Sequence, residues 1–160
     1  MSAPPRRILF VCTGNLCRSP LARGLLAKHL ALRPDAAAFT IDAAGTAARE
    51  GLPPTPYTLE VAARRGVDLG AHRSRSVVPA DFTRFDTLVA LDFGHLDWLR
   101  FMRPADARCE LRLLLAAHAR RPAHEVPDPY GKSARVYERV ARLIELGVRA
   151  WLAEWDVAAR

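Results

Sequence analysis

Cys12 and Arg18 stand six positions apart in the run Ile8-Leu9-Phe10-Val11-Cys12-Thr13-Gly14-Asn15-Leu16-Cys17-Arg18-Ser19-Pro20. A cysteine thiolate is a strong nucleophile, and a planar guanidinium grips two phosphate oxygens in a fork that lysine cannot offer. Between them Thr13, Gly14, Asn15, Leu16 and Cys17 can turn backbone N–H groups onto an anion. Gly14 allows the tight or positive-φ geometry that such a nest needs. Attack of the thiolate on phosphorus gives a cysteinyl-phosphate, which water then hydrolyses. The chemistry implied is covalent phosphoryl transfer. With 22 arginines against two lysines, a bare C-x5-R spacing carries little weight, and the flanking elements decide.

Four apolar residues, Ile8, Leu9, Phe10 and Val11, predict a short buried strand. Ser19-Pro20 reads as the N-cap and N1 of a helix. The loop therefore joins a strand end to a helix N-terminus, where the dipole favours an anion and, with Arg18, the Cys12 thiolate. Further on, the pattern predicts a helix over 20–32 ended by Pro34, a strand over 39–44 closed by Gly45, and a Pro-rich loop over 46–57. A helix over 58–65 capped by Gly66, a strand over 86–91 and a helix over 96–103 follow. Residues 111–115 read as a fourth strand or a helical run, and 133–155 as the clearest amphipathic helix. Strands alternating with helices argue for an α/β fold with a parallel sheet, whose ligands bind beyond the carboxyl ends of the strands.

At 160 residues, half of them apolar, the chain fits one domain over 1–160 with a real core. The apolar run after the N-terminus is too short for a signal peptide or a membrane span, which points to the cytoplasm. Three cysteines, Cys12, Cys17 and Cys109, have neither disulfide-scaffold nor zinc spacing and suit a reducing compartment. The net charge of +7 raises a nucleic-acid reading, but no basic run exceeds two residues. The positive field instead draws in anionic substrates such as phosphoproteins.

The string V-C-T-G-N-L-C-R-S-P closely resembles the signature of the low-molecular-weight protein tyrosine phosphatases. The resemblance implies a three-layer fold with a four-stranded parallel sheet between helices and the phosphate loop between strand 1 and helix 1. It implies a metal-independent phosphotyrosine phosphatase, without a cofactor, with Cys12 as nucleophile and Arg18 on the phosphate. Asn15 and Ser19 match residues that hold the loop's shape, the serine hydroxyl bonding the thiolate. Expelling a phenolate also needs a proton donor. Asp128, fixed between Pro127 and Pro129, resembles the family's general acid in its D-P-Y motif, and a neighbouring phosphate anion favours its protonated form.

Tyr130 resembles the aromatic that flanks the substrate ring, and His72, followed by Arg75, resembles a histidine that supports the loop; a surface histidine is the alternative. Asp92 matches an acidic family position of structural character. Cys17 either forms a reversible disulfide with Cys12 or packs as a small residue, and Cys109 reads as core. Three departures stand out: Gly131 in place of a second tyrosine, no aromatic at the lip 47–50, where Leu52 or Tyr57 could substitute, and Ala43 where many relatives carry a serine.

Related arsenate reductases need a redox cysteine pair near mid-chain, which is absent here. Protein-arginine phosphatases share D-P-aromatic-G but carry threonine at the place of Leu16, whose apolar wall suits a phenyl ring. The ending D-P-Y-G-K-S resembles bacterial phosphatases paired with tyrosine autokinases, making a phosphotyrosine protein the expected substrate and such a kinase the expected partner. A phosphate-binding module without turnover fits poorly with both Cys12 and Asp128, and a nucleic-acid binder with the lack of any such motif.

Overall fold

The computed structural model describes residues 6–117 and 124–158. Four parallel strands, β1 (Arg6–Cys12), β2 (Phe39–Gly45), β3 (Thr87–Ala90) and β4 (Glu110–Leu113), form one sheet in the order β2-β1-β3-β4. Among the described residues five α-helices connect or cover them: α1 (Arg18–Leu30), α2 (Pro56–Ala63), α3 (Asp81–Arg84), α4 (Phe93–Met102) and α5 (Ala134–Ala158). The expected three-layer α/β arrangement with a four-stranded parallel sheet is the one observed.

The run Ile8–Val11 is apolar at every position because β1 is central and covered on both faces. Ile8, Phe10 and Cys12 pack with Leu21, Leu25 and Leu26 of α1, Val61 of α2, and Val140 and Ile144 of α5. Leu9 and Val11 point the other way, with Leu88 and Ala90 of β3, into a second cluster formed by Phe82, Phe85, Leu96 and Leu99. This period-two split is what a strand between two helical layers requires. On α5 the apolar stripe seats Val140, Ile144, Val148, Trp151 and Trp155 in the first cluster, and Trp151 Nε1 donates to the Leu114 carbonyl at 2.8 Å.

Several boundaries move, each for a local reason. Helix α1 starts at Arg18 with Cys17 as its N-cap. Ser19 is therefore not the cap, and its hydroxyl turns inward to the loop instead. Helix α2 starts at Pro56, with proline in the first turn, where its missing N–H costs nothing. Helix α4 starts at Phe93 because the Asp92 side chain accepts the His95 N–H at 2.8 Å and caps it. The run 111–115 divides: β4 ends at Leu113 and Leu114–Ala117 is a 3-10 turn. Helix α3, a single turn, had no periodic signal.

Candidate active site

The loop after Cys12 is built inside out. Its carbonyls are bonded outward: Thr46 N–H donates to Cys12 O at 2.8 Å, Ala47 N–H to Thr13 O at 3.0 Å, and Thr55 N–H to Leu16 O at 3.2 Å. His72 Nε2 lies 2.9 Å from Asn15 O; a carbonyl only accepts, so Nε2 carries the proton. Burial pushes His72 below its ordinary value, which keeps the ring neutral in that role. Among the described residues no protein acceptor meets the N–H groups of Thr13, Gly14, Leu16 or Cys17. A loop with its acceptors tied back and its donors free is an anion nest.

The left-handed turn sits at Asn15, with φ of 57°, and not at Gly14 as the residue types suggested. Asparagine tolerates this region because its side chain bonds locally. Asn15 Nδ2 donates to Ser19 Oγ at 2.8 Å, and Asn15 Oδ1 accepts the Arg75 N–H at 3.0 Å. The glycine the loop depends on is Gly45, paired with Cys12 across β1 and β2. A Cβ there would lie 2.3 Å from Thr13 O and 3.1 Å from Asn15 N.

Cys12 lies buried at the end of β1, with Ser19 Oγ 2.9 Å from its Sγ. Burial is the largest effect on this thiol and pushes it up from its ordinary value. The Ser19 hydroxyl, the Ser19 and Asn15 N–H groups and the Arg18 charge pull the other way. The stabilisation by Arg18 that the sequence suggested is present, with burial the larger effect. Cys17 Sγ is 3.5 Å from Thr55 Oγ1 and 3.5 Å from the Tyr137 hydroxyl, and both thiols are free. Cys109 lies in the cluster on the opposite face of the sheet from Cys12.

Arg18 is 2% exposed, far from a solvated helix residue. Its Nη1 donates to Asp92 Oδ2 at 2.9 Å and to the Val126 carbonyl at 3.0 Å. Nη2 faces the cavity, 3.5 Å from Thr13 Oγ1 and 3.6 Å from Asp128 Oδ2. Although burial opposes it, hydrogen bonds from His95 and the Arg18 guanidinium hold Asp92 well below the usual carboxylate range. One arm of the guanidinium is thus anchored to a fixed anion while the other is presented to a ligand.

These groups surround one cavity of about 290 Å³. Cys12, Thr13, Gly14, Cys17 and Arg18 form its loop side, Leu16 an apolar wall, Ala47, Arg49 and Leu52 the lip, and Asp128 with Tyr130 the opposite rim. Leu52 stands at the lip as one of the two candidates; Tyr57 packs instead on Tyr137, with ring centroids 5.3 Å apart. Asp128 is half exposed and Oδ1 accepts the Tyr130 N–H at 3.1 Å. Tyr130 is 62% exposed. Among the described residues no three His, Cys, Asp or Glu side chains gather as metal ligands.

Sequence reasoning missed His95, whose Nε2 lies 2.8 Å from Thr13 Oγ1, and gave Asp92 no contact to Arg18. Only the N-cap pattern at Asp92 was locally visible. It also missed Gly45 as a steric requirement and Arg49 on the lip.

The family model for low molecular weight phosphotyrosine protein phosphatase matches residues 7–159. The chain is 32% identical to the low molecular weight protein-tyrosine-phosphatase Wzb of Escherichia coli over 146 residues, 90% of this chain and 91% of that protein. It is similar in structure to YfkJ from Bacillus subtilis, with a TM-score of 0.90, 28% identity and 100% of both chains covered. It is also similar to the YwlE arginine phosphatase from Geobacillus stearothermophilus, with a TM-score of 0.84, 27% identity, and 96% and 95% of the two chains covered. A loop that turns its donors inward over a buried thiol, matched nearly end to end by these proteins, places the chain in the low molecular weight phosphotyrosine protein phosphatase family as a protein-tyrosine phosphatase.

Proposed function

We propose that the chain hydrolyses phosphotyrosine in proteins, and small aryl phosphates, through a cysteinyl-phosphate on Cys12. The observation that carries this is the convergence of Cys12, Arg18 and Asp128 on one cavity. The loop N–H groups and the outer arm of Arg18 hold the phosphate. Cys12, its thiol proton released to solvent, attacks phosphorus as the thiolate in line with the phenolic oxygen, the P–O bond breaks, and Asp128 gives its own proton to the leaving phenolate. Asp128, now a carboxylate, takes a proton from water. The water oxygen attacks phosphorus, the S–P bond breaks, and inorganic phosphate leaves with Cys12 restored as thiolate. Ser19 holds that thiolate with its hydroxyl; Asn15 and His72 keep the loop in shape.

Leu16 and Tyr130 flank the substrate ring, which favours a phenyl group over a guanidinium chain. Cys109, buried behind the sheet from Cys12, gives no support to a thiol-relay reduction of arsenate. In this reading the chain is one catalytic domain acting in the cytoplasm, and a tyrosine kinase makes its substrate. No described helix is long and apolar enough to cross a membrane. The test is hydrolysis of phenyl phosphate and of matched phosphotyrosine and phosphoarginine peptides by wild type and Cys12→Ser. Turnover of the phosphotyrosine peptide is expected from wild type and none from the variant. Equal rates in both proteins, or a clear preference for phosphoarginine, overturns the reading.

A further inference from the structure

The side chains of Arg18, Asp92, His95 and Thr13 close a ring behind the phosphate loop. Arg18 Nη1 donates to Asp92 Oδ2 at 2.9 Å, and Asp92 Oδ1 accepts the His95 backbone N–H at 2.8 Å. His95 Nδ1 lies 3.0 Å from the same Oδ1, at an approach too oblique for a well-directed hydrogen bond. His95 Nε2 lies 2.8 Å from Thr13 Oγ1, and Arg18 Nη2 donates to that oxygen at 3.5 Å. The donors and acceptors run consistently around the ring. Ionised Asp92 only accepts, so Nδ1 carries the proton; in the neutral imidazole Nε2 then accepts from the Thr13 hydroxyl, whose lone pairs are left for Arg18.

His95 is 4% exposed and does not line the cavity, whereas Thr13 and Arg18 both do. Leu96 and Leu99 already seat α4 against the sheet, so the packing of that helix does not need an imidazole here. A buried ring with both nitrogens turned to the active-site machinery has another use. Resting on the reading that Arg18 binds the phosphate, we infer that His95 is a positioning residue of the phosphatase reaction. It holds the Thr13 hydroxyl beside Nη2 and steadies Asp92 against Nη1, which sets the plane in which the guanidinium meets phosphate. In the transition state the transferred phosphoryl group is flattened, and its equatorial oxygens make stricter demands on that plane than ground-state phosphate does. The effect therefore falls on kcat more than on KM.

The test compares His95→Leu, His95→Gln, Thr13→Val and the double variant His95→Leu/Thr13→Val on phenyl phosphate. His95→Leu and Thr13→Val should each lower kcat roughly fivefold to tenfold, the worth of one hydrogen bond, with KM changed less than about twofold. The loss in the double variant should fall well short of the product of the two single losses, because both substitutions remove the Thr13–His95 contact. His95→Gln, whose amide reaches toward the place of Nε2, should recover most of the rate. An unchanged kcat in His95→Leu, additive losses in the double variant, or a glutamine that restores nothing each overturns the inference. If His95→Leu does not fold, Thr13→Val decides: its kcat must fall, and an unchanged value overturns the inference. An inactive wild type refutes the phosphatase reading, whereas an active wild type with unaffected variants refutes only the role of His95.

Discussion

Arg18 Nη2 and Asp128 Oδ2 face each other at 3.6 Å across the mouth of the cavity, one side chain almost fully buried and the other half exposed. The arginine is anchored from behind by Asp92 and Val126, so an entering phosphate meets a held cation and a half-exposed carboxyl. That is the arrangement a proton donor needs, since it must reach the leaving oxygen and then turn to water. Asp128→Ala should lower kcat on phenyl phosphate by roughly a hundredfold or more. The loss should shrink progressively for phenols of lower pKa, which leave without protonation. Rates across a series of substituted phenyl phosphates measure this, and a loss independent of the leaving group would place the proton on another residue.

Ser19 offers the largest contribution opposing burial at the Cys12 thiol. Removing it leaves desolvation less opposed, so the thiol in Ser19→Ala should titrate at still higher pH than in wild type. Alkylation by iodoacetamide, followed against pH, should show its rise displaced to higher pH, with the rate near pH 6 reduced roughly fivefold to tenfold by the lost hydrogen bond. Superimposable profiles would mean that the 2.9 Å contact does not favour the thiolate.

The contrast between these two residues shows what was legible in the sequence. Cys12, Arg18 and the strand before them could be read because a strand, a turn and a helix start are local and consecutive. The strand–helix alternation likewise gave the sheet, since apolar runs and amphipathic stripes need only neighbours to be recognised. Ser19 was found but given a cap role, because Ser-Pro is a local signal and the competing bonds to Cys12 and Asn15 are tertiary. Gly14 was favoured for the tight or positive-φ geometry on residue type alone; of the side-chain bonds that hold Asn15 there, one reaches Ser19 four positions on and the other Arg75, sixty positions away. His95 gave no signal at all, since its partner Thr13 lies 82 positions earlier. Contacts that close across the sheet leave no periodicity behind.

Gly45 makes the same point sterically. The close approach of Thr13 O involves backbone on both sides, so no side-chain rotation can relieve it. Gly45→Ala should lose about 1–3 kcal/mol of stability through forced displacement, and the displaced Thr13 carbonyl should carry the loop with it. Urea unfolding and phenyl phosphate turnover on the same preparation should fall together. A variant with wild-type stability and rate would show that the loop yields without cost.

Asp92 ties stability to pH through its contacts to His95 and to the same buried cation. Its folded-state proton affinity lies well below the usual carboxylate range, so the unfolded chain binds its proton more readily than the folded one. The stability it contributes is complete above the ordinary carboxylate range near pH 4 and drains away as pH falls from there toward the folded value. Asp92→Asn leaves Arg18 buried beside a neutral amide, which should cost about 3 kcal/mol at pH 7. The difference in unfolding free energy between wild type and Asp92→Asn should therefore narrow on acidification from pH 5 to pH 3, while other carboxylates titrate equally in both. Urea midpoints for the pair at each pH measure it. A gap that stays constant across that interval would mean that Asp92 contributes to the fold through shape rather than through its charge on Arg18.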